Sequence, residues 1–276
     1  MIYDAFCFFN ELDLLEFRLK LLYDHVDKFV ICESNLTFSG YNKSYNYYDN
    51  ISRFEKWNDK IIYLPIEQNK EDFSFRDVNT YTPDNGPFKV EYEQRNALFY
   101  IRENVKDDDM VLMGDLDEIP DPKVIDQLKR TSDYKKEGAL SLNMLFHYYY
   151  TNCQVIGYDR YWNGTVVCDG KYFKDNAPQY IRDKRNMYPR VLNGGWHFSY
   201  LGGIEKIKTK IRSFAHTEFN RPDILSDDNI SQAIAEGKDI LKRPGVSYSY
   251  VSLEEYPSHL KEVMLQYPQF IKDDTK

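Results

Sequence analysis

Three carboxylates, Asp115, Asp117 and Glu118, stand together inside the run DMVLMGDLDEIPDP over 109–122. Two aspartates spaced i and i+2 in an extended or turning segment can present their oxygens to one cation if Leu116 between them faces the core. A hard divalent ion that keeps some waters and completes its shell with substrate phosphates suits such a pair. The alternative is a solvated acidic turn, or a cap for the helix that Pro120 and Pro122 would start. A second glycine-rich stretch, GGWHFSYLGG over 194–203, holds His197. Neutral imidazole suits the same ions, and flanking glycines permit close backbone approach, so His197 is the candidate third ligand. A core histidine satisfied by backbone is its alternative.

These groups need a scaffold. The apolar run 110–113 ahead of Asp115 reads as a strand buried on both faces, the usual state of a parallel strand. Open α/β sheets bind ligands at such strand ends. Upstream, strands are predicted over 2–9, 26–32 and 61–64 and a helix over 12–22, where Leu12, Leu15, Leu19 and Leu22 recur at helical spacing. Asn10 is the expected N-cap of that helix. Residues 66–88 read as a long loop and 89–105 as a helix carrying Arg95 and Asn96. Alternating β and α elements predict a mostly parallel sheet flanked by helices. Further on, a helix is expected to about 130, a strand over 138–150 and a hairpin turning at Trp162-Asn163-Gly164. A basic helix over 205–214 follows, with terminal helices near 227–235 and 258–266.

Composition narrows the field. The length of 276 residues fits one domain, with 1–118 and 119–276 as its two halves. A net charge of −8 argues against a nucleic-acid partner. The four cysteines lack metal-site spacing, and Cys7 and Cys32, inside apolar strand-like runs, read as buried thiols of a reducing compartment. No signal peptide and no apolar run long enough for a membrane span is evident. The expected location is therefore cytoplasmic, with peripheral attachment at a membrane surface as an option. Aromatic residues are abundant, with 24 Tyr, 17 Phe and 3 Trp, and serve mainly packing.

The segments DAFCFFNELDLLEFRL, FVICESNLTFSG, GDLDEIP, GGWHFS and EKIKTKIRS, spread over about 4–213, resemble glycosyltransferase family 17. Known members add β-1,4-linked N-acetylglucosamine to a mannose of N-glycans. The resemblance implies a GT-A-like α/β fold, a nucleotide-sugar donor (a UDP-sugar), a glycan or glycoconjugate acceptor, inversion at the anomeric carbon, and Mn²⁺ or Mg²⁺ as cofactor. The membrane anchor and stem of the animal enzymes have no counterpart in this sequence, which makes a surface-glycan acceptor more natural than N-glycan processing.

Onto that family pattern Asp115 and Asp117 match the DxD pair, and Lys210 matches a lysine placed to reach a phosphate. Lys206 and Lys208 read as solvated. Arg95 and Asn96 lie where GT-A enzymes place donor contacts, although a surface ion pair would explain Arg95 equally. Asn10 and Glu11, with Glu33 and Ser34, close the first two strands, where base and ribose would lie. For the general base, Glu218 and Glu118 both stand as candidates; Glu118 is equally a helix cap, and Glu218 equally a surface partner of an arginine. A metal-dependent phosphohydrolase or nucleotidyltransferase, or an inactive sugar-binding protein, are the competing readings.

Overall fold

Ile2–Phe8 forms strand β1, and its burial alternates between two cores: Ile2, Phe6 and Phe8 pack on one face, Tyr3 and Ala5 on the other. The computed structural model describes residues 1–76, 80–157 and 160–272. A helix over Leu12–Leu22 carries the chain to β2 (Lys28–Ser34), which lies parallel to β1. β3 (Ile61–Ile66) adds outside β2, and β4 (Met110–Asp115) pairs with the opposite side of β1, both in parallel. Both faces of this block are covered, which is why its strands are continuous apolar runs. Each buried Leu or Phe there contributes about 1.5–3 kcal/mol of transfer free energy. The N-cap position of the first helix is Glu11, and Asn10 offers only its carbonyl, 3.0 Å from the Leu12 amide.

Beyond β4 the sheet departs from expectation. β8 (Tyr161–Asp169) runs antiparallel to β4 and to β6 (Ala139–Tyr148). β7 (Cys153–Ile156) is antiparallel to β6, and β10 (Ser247–Tyr250) to β7. β9 (Arg190–Ser199) is parallel to β6 and antiparallel to the short β5 (Glu118–Pro120). The path β10-β7-β6-β8-β4-β1-β2-β3 is thus a curled, mixed sheet, and the mostly parallel GT-A-like sheet is corrected. The cause is β6: its apolar, aromatic length offers edges and registers to β7, β8 and β9, two of which run against it.

The hairpin expected at Trp162-Asn163-Gly164 is absent because β8 runs straight through these residues, Trp162 opposite Met144 and Asn163 opposite Asn143. A two-residue hairpin turn needs positive φ, which neither Asn163 nor Gly164 adopts. Pro120 belongs to β5, and the next helix (Pro122–Thr131) starts two residues later, capped by the Asp121 carboxylate on the Lys123 amide at 2.8 Å. The helix expected over 89–105 begins earlier, at Gly86, and tightens to 3₁₀ geometry over Ala97–Asn104. Of the stretch read as a loop, 77–79 lie outside the described residues. The basic helix is Gly203–Ser213, and the tail contributes Asp227–Glu236 and Ser258–Met264.

Candidate functional site

The chain turns sharply between β4 and β5, and that turn carries the three carboxylates. Leu116 is buried in the core, as the i, i+2 reading requires. From below, the fully buried Arg18 donates through Nη1 to the carbonyls of Asp115 (3.0 Å), Leu116 (2.9 Å) and Glu118 (2.8 Å). Its other nitrogens hold the buried Asp4 carboxylate at 2.8 and 2.6 Å. A guanidinium so desolvated persists only when its donors are met, and here one arginine fixes the turn's backbone.

On one side of the turn both carboxylates are paired to guanidinium groups. Glu118 is wholly buried and receives both Arg182 terminal nitrogens at 2.7 and 2.6 Å, the Trp162 indole N–H at 2.6 Å and the Asp115 amide at 3.1 Å. The carboxylate reaches this position because Gly114 leaves room: a Cβ there would lie 2.4 Å from Thr165 Oγ1 and 3.0 Å from Glu118 Oε2. Asp115 accepts from Arg182 at 2.7 Å with one oxygen and from Arg95 at 3.1 Å with the other. Burial works to raise the Asp115 carboxyl, but the Arg182 and Arg95 charges outweigh it and hold it at about 2, with 33% of the side chain still exposed.

On the other side a carboxylate is shared between a lysine and a histidine. Asp117 accepts from the Lys210 ammonium at 2.7 Å, and its second oxygen lies 3.4 Å from His197 Nε2. Burial opposes ionisation, yet Lys210 and then His197 keep the Asp117 carboxyl well below the usual carboxylate range. Burial likewise works to lower the Lys210 amine, and the charge of Asp117 more than offsets it, so Lys210 stays a cation. His197 sits on β9 opposite Glu118, its ring stacked on Phe146 at 4.5 Å, and its buried Nδ1 finds no hydrogen-bond partner among the described residues. The close approach of β9 to β5 depends on Gly195, with φ +147°, where a Cβ would lie 2.2 Å from the Ile119 oxygen. Both sides face a cavity of about 740 Å³.

The sequence model described as Glycosyltransferase family 17 matches residues 1–276. The chain belongs to glycosyltransferase family 17. The enzyme is accordingly a glycosyltransferase. A comparison with curated proteins gives no match. Among solved structures, a mannose-6-phosphate isomerase from Helicobacter pylori is similar over 67% of this chain and 77% of that one, at 12% identity and a TM-score of 0.37. So weak a likeness carries no argument. No helix among the described residues is long and apolar enough to cross a membrane.

Of the residues singled out in the sequence, this glycosyltransferase brings Glu11, Arg95, Asp115, Asp117, Glu118, His197, Lys210 and Glu218 to the one cavity. It does not bring four others. Glu33 is buried and ties down the next segment, accepting from the Asn46 and Tyr47 amides, Lys43 and Tyr63. Ser34 donates to Gln68 at 2.7 Å, Asn96 accepts the Gln179 amide at 2.9 Å, and the Asn10 amide donates to Glu11 at 3.0 Å. Arg95 is buried, paired to Glu91 and Asp115 and donating to Gln179, so its role is to hold Asp115. Glu218 bonds neighbouring His216 at 2.8 Å rather than an arginine. Sequence reasoning missed Arg18, Arg182 and Trp162. Arg18 was detectable as a charge inside the apolar stripe of Leu15, Leu19 and Leu22; nothing marks Arg182 among its basic neighbours.

The donors present suit a divalent ion in part. Both Asp115 oxygens are held by guanidinium groups, which leaves it no free oxygen in this arrangement. Asp117 and His197 face each other, and the unpartnered His197 Nδ1 shows an imidazole not fixed by protein hydrogen bonds alone. One carboxylate and one imidazole, completed by diphosphate oxygens and water, suit Mn²⁺ more closely than Mg²⁺, which prefers oxygen ligands throughout. Among the described residues no group of three or more His, Cys, Asp or Glu forms a closed metal cage.

Proposed function

We propose that the enzyme moves a sugar, N-acetylglucosamine or a related hexose, from a UDP-sugar to a hydroxyl of a glycan acceptor, with inversion and with Mn²⁺ or Mg²⁺ bound. The observation that carries this reading is Asp117, shared between the Lys210 ammonium and the His197 imidazole in the cavity wall. Displacing a nucleoside diphosphate builds negative charge on the departing oxygens. Lys210, kept protonated, offers them a fixed positive charge. Asp117 and His197 are the residues that would hold the metal, and a bound ion would neutralise the leaving diphosphate. Arg18 and Arg182 act without touching substrate, fixing the turn on which Asp117 sits.

Glu118 makes a poor base. To take a proton it would have to break the two-pronged Arg182 contact and give up the indole N–H in a site closed to water. Among the described residues three cavity acids, Glu218, Glu11 and Asp183, have no ion pair to a lysine or arginine, and we assign this role to Glu218. Asp117→Ala, read as sugar transfer or UDP release from UDP-N-acetylglucosamine, should lose roughly 10²–10³-fold in rate while the protein stays folded. Chelation with EDTA should abolish turnover of the wild type. Undiminished turnover in EDTA contradicts the metal assignment.

A further inference from the structure

Glu218 is not alone at the rim: its Oε1 lies 2.8 Å from Nδ1 of His216, and both residues line the cavity. We propose that His216, oriented by Glu218, is the general base that takes the proton from the attacking hydroxyl. The proposal rests on the transfer reading above and goes beyond it by moving the base from the carboxylate to the imidazole.

A carboxylate bonded to Nδ1 selects the tautomer with the proton on Nδ1 and leaves the Nε2 lone pair free. The ring is also held sterically. Tyr81 stacks on it at 5.7 Å with planes 15° apart, and Phe88 meets it edge-on at 5.2 Å and 89°. Phe214 and Phe219 complete the cage from the other segment, at 5.9 and 6.2 Å. Within that cage the side chain of Glu218 is 17% exposed and that of His216 48%, so the imidazole is the partner open to an acceptor. Among the described residues, the charged or titratable groups in contact with the ring are Glu218 and the Tyr81 phenol; Phe88, Phe214 and Phe219 bring none.

Chemistry favours the same assignment. A base works best when its pKa lies near the operating pH, and imidazole meets that condition more closely than a carboxylate. Of the other acids lining the cavity, Asp115 and Glu118 are held by arginines, Asp117 by Lys210, Glu91 by Arg95 and Asp183 by the Gln179 side-chain amide, while Glu11 accepts the Asn10 amide and has no aromatic cage among the described residues to orient it. In the step, the hydroxyl proton passes to His216 Nε2 as the oxygen forms its bond to the anomeric carbon. The bond from that carbon to the diphosphate oxygen breaks, and its electron pair leaves with UDP. The imidazolium is stabilised by Glu218 and returns its proton to solvent at the rim.

The test follows UDP release from UDP-N-acetylglucosamine with Mn²⁺, water serving as acceptor, across pH, with UDP affinity and melting midpoint measured in parallel. His216→Gln should cut the rate by about 10²–10⁴-fold, leave UDP affinity and midpoint near wild type, and remove the rising limb of the pH–rate profile. Glu218→Gln should cost less, about 10-fold, and keep the limb, because the imidazole remains and loses only the group that orients it. Both results together support His216. A limb that vanishes in Glu218→Gln and survives in His216→Gln overturns it in favour of the carboxylate. Full activity in both variants overturns it outright while the transfer reading stands. A wild type that releases no UDP from any sugar nucleotide overturns the transfer reading itself.

Discussion

Two walls of the same cavity carry acids of the same kind and treat them in opposite ways. In the wall built from Asp115, Glu118, Arg95, Arg182 and Trp162, each carboxylate oxygen is met by fixed donors. In the wall built from Asp117, His197, Lys210, Glu218 and His216, the carboxylates pair with a lysine and histidines and His216 is half exposed; each wall holds one buried nitrogen without a partner among the described residues, Arg95 Nε in the first and His197 Nδ1 in the second. A desolvated charge that is fully paired is held in place by the cost of unpairing it, so the first wall is scaffold. Asp117 is held by a lysine and a histidine instead of two arginines, so a bound cation could take the place of the lysine as its partner. We assign the chemistry to the second wall and the positioning of its turn to the first.

Breaking the first wall should have the largest effect on stability. Arg182→Ala would leave Glu118 fully buried and Asp115 partly so without their shared cation, at a cost of roughly 3–5 kcal/mol. Urea unfolding should show that loss directly, and Arg182→Lys should restore only part of it because a point charge cannot reproduce the two-pronged contact. If Arg182→Ala unfolds at the wild-type midpoint, this wall is not scaffold.

A smaller, pH-dependent effect separates the walls from the histidine behind them. His147, on β6, is fully buried, its Nδ1 3.1 Å from the Leu145 carbonyl and its Nε2 3.0 Å from the Tyr256 hydroxyl. Burial pushes it down to about 3. The unfolded imidazole binds a proton near 6.5, so stability should fall as pH drops from about 6.5 towards 3, by up to roughly 1.4 kcal/mol per unit. Asp115, depressed to about 2, contributes stability that is complete above the ordinary carboxylate range and lost only as pH falls towards 2. Denaturation midpoints from pH 7 to 5 should therefore slope in the wild type and flatten in His147→Gln. A slope that persists unchanged in that variant would place the titrating group elsewhere.

The parallel block was legible because its strands are apolar on both faces and bounded by acids, glycine or proline, a pattern with one physical reading. The direction of β8 was not, since an aromatic run such as Tyr161–Val167 packs equally well in either sense, and the Asn163-Gly164 pair suggested a turn the backbone does not make. Within the site, residue type pointed to Asp117 and His197 and the family resemblance pointed to Lys210, and all three line the cavity. The strand-end rule located a neighbourhood without saying which side chains face it: Glu11 does, while Glu33 turns inward to the Asn46 and Tyr47 amides. Arg182 left no trace in the sequence because its function is set by where a short helix, Pro178–Asp183, docks.

The most direct measurement of the claim that the second wall binds the donor diphosphate is calorimetric titration of UDP with Mn²⁺ into wild type, Lys210→Ala and Lys206→Ala. Lys210 sits on Asp117 in the cavity, and Lys206, one turn earlier on the same helix, is exposed to solvent. Losing a charged contact worth about 1.5–3 kcal/mol should weaken UDP binding by roughly 10- to 150-fold in Lys210→Ala and leave Lys206→Ala at the wild-type affinity. Equal affinity in all three proteins would contradict the account.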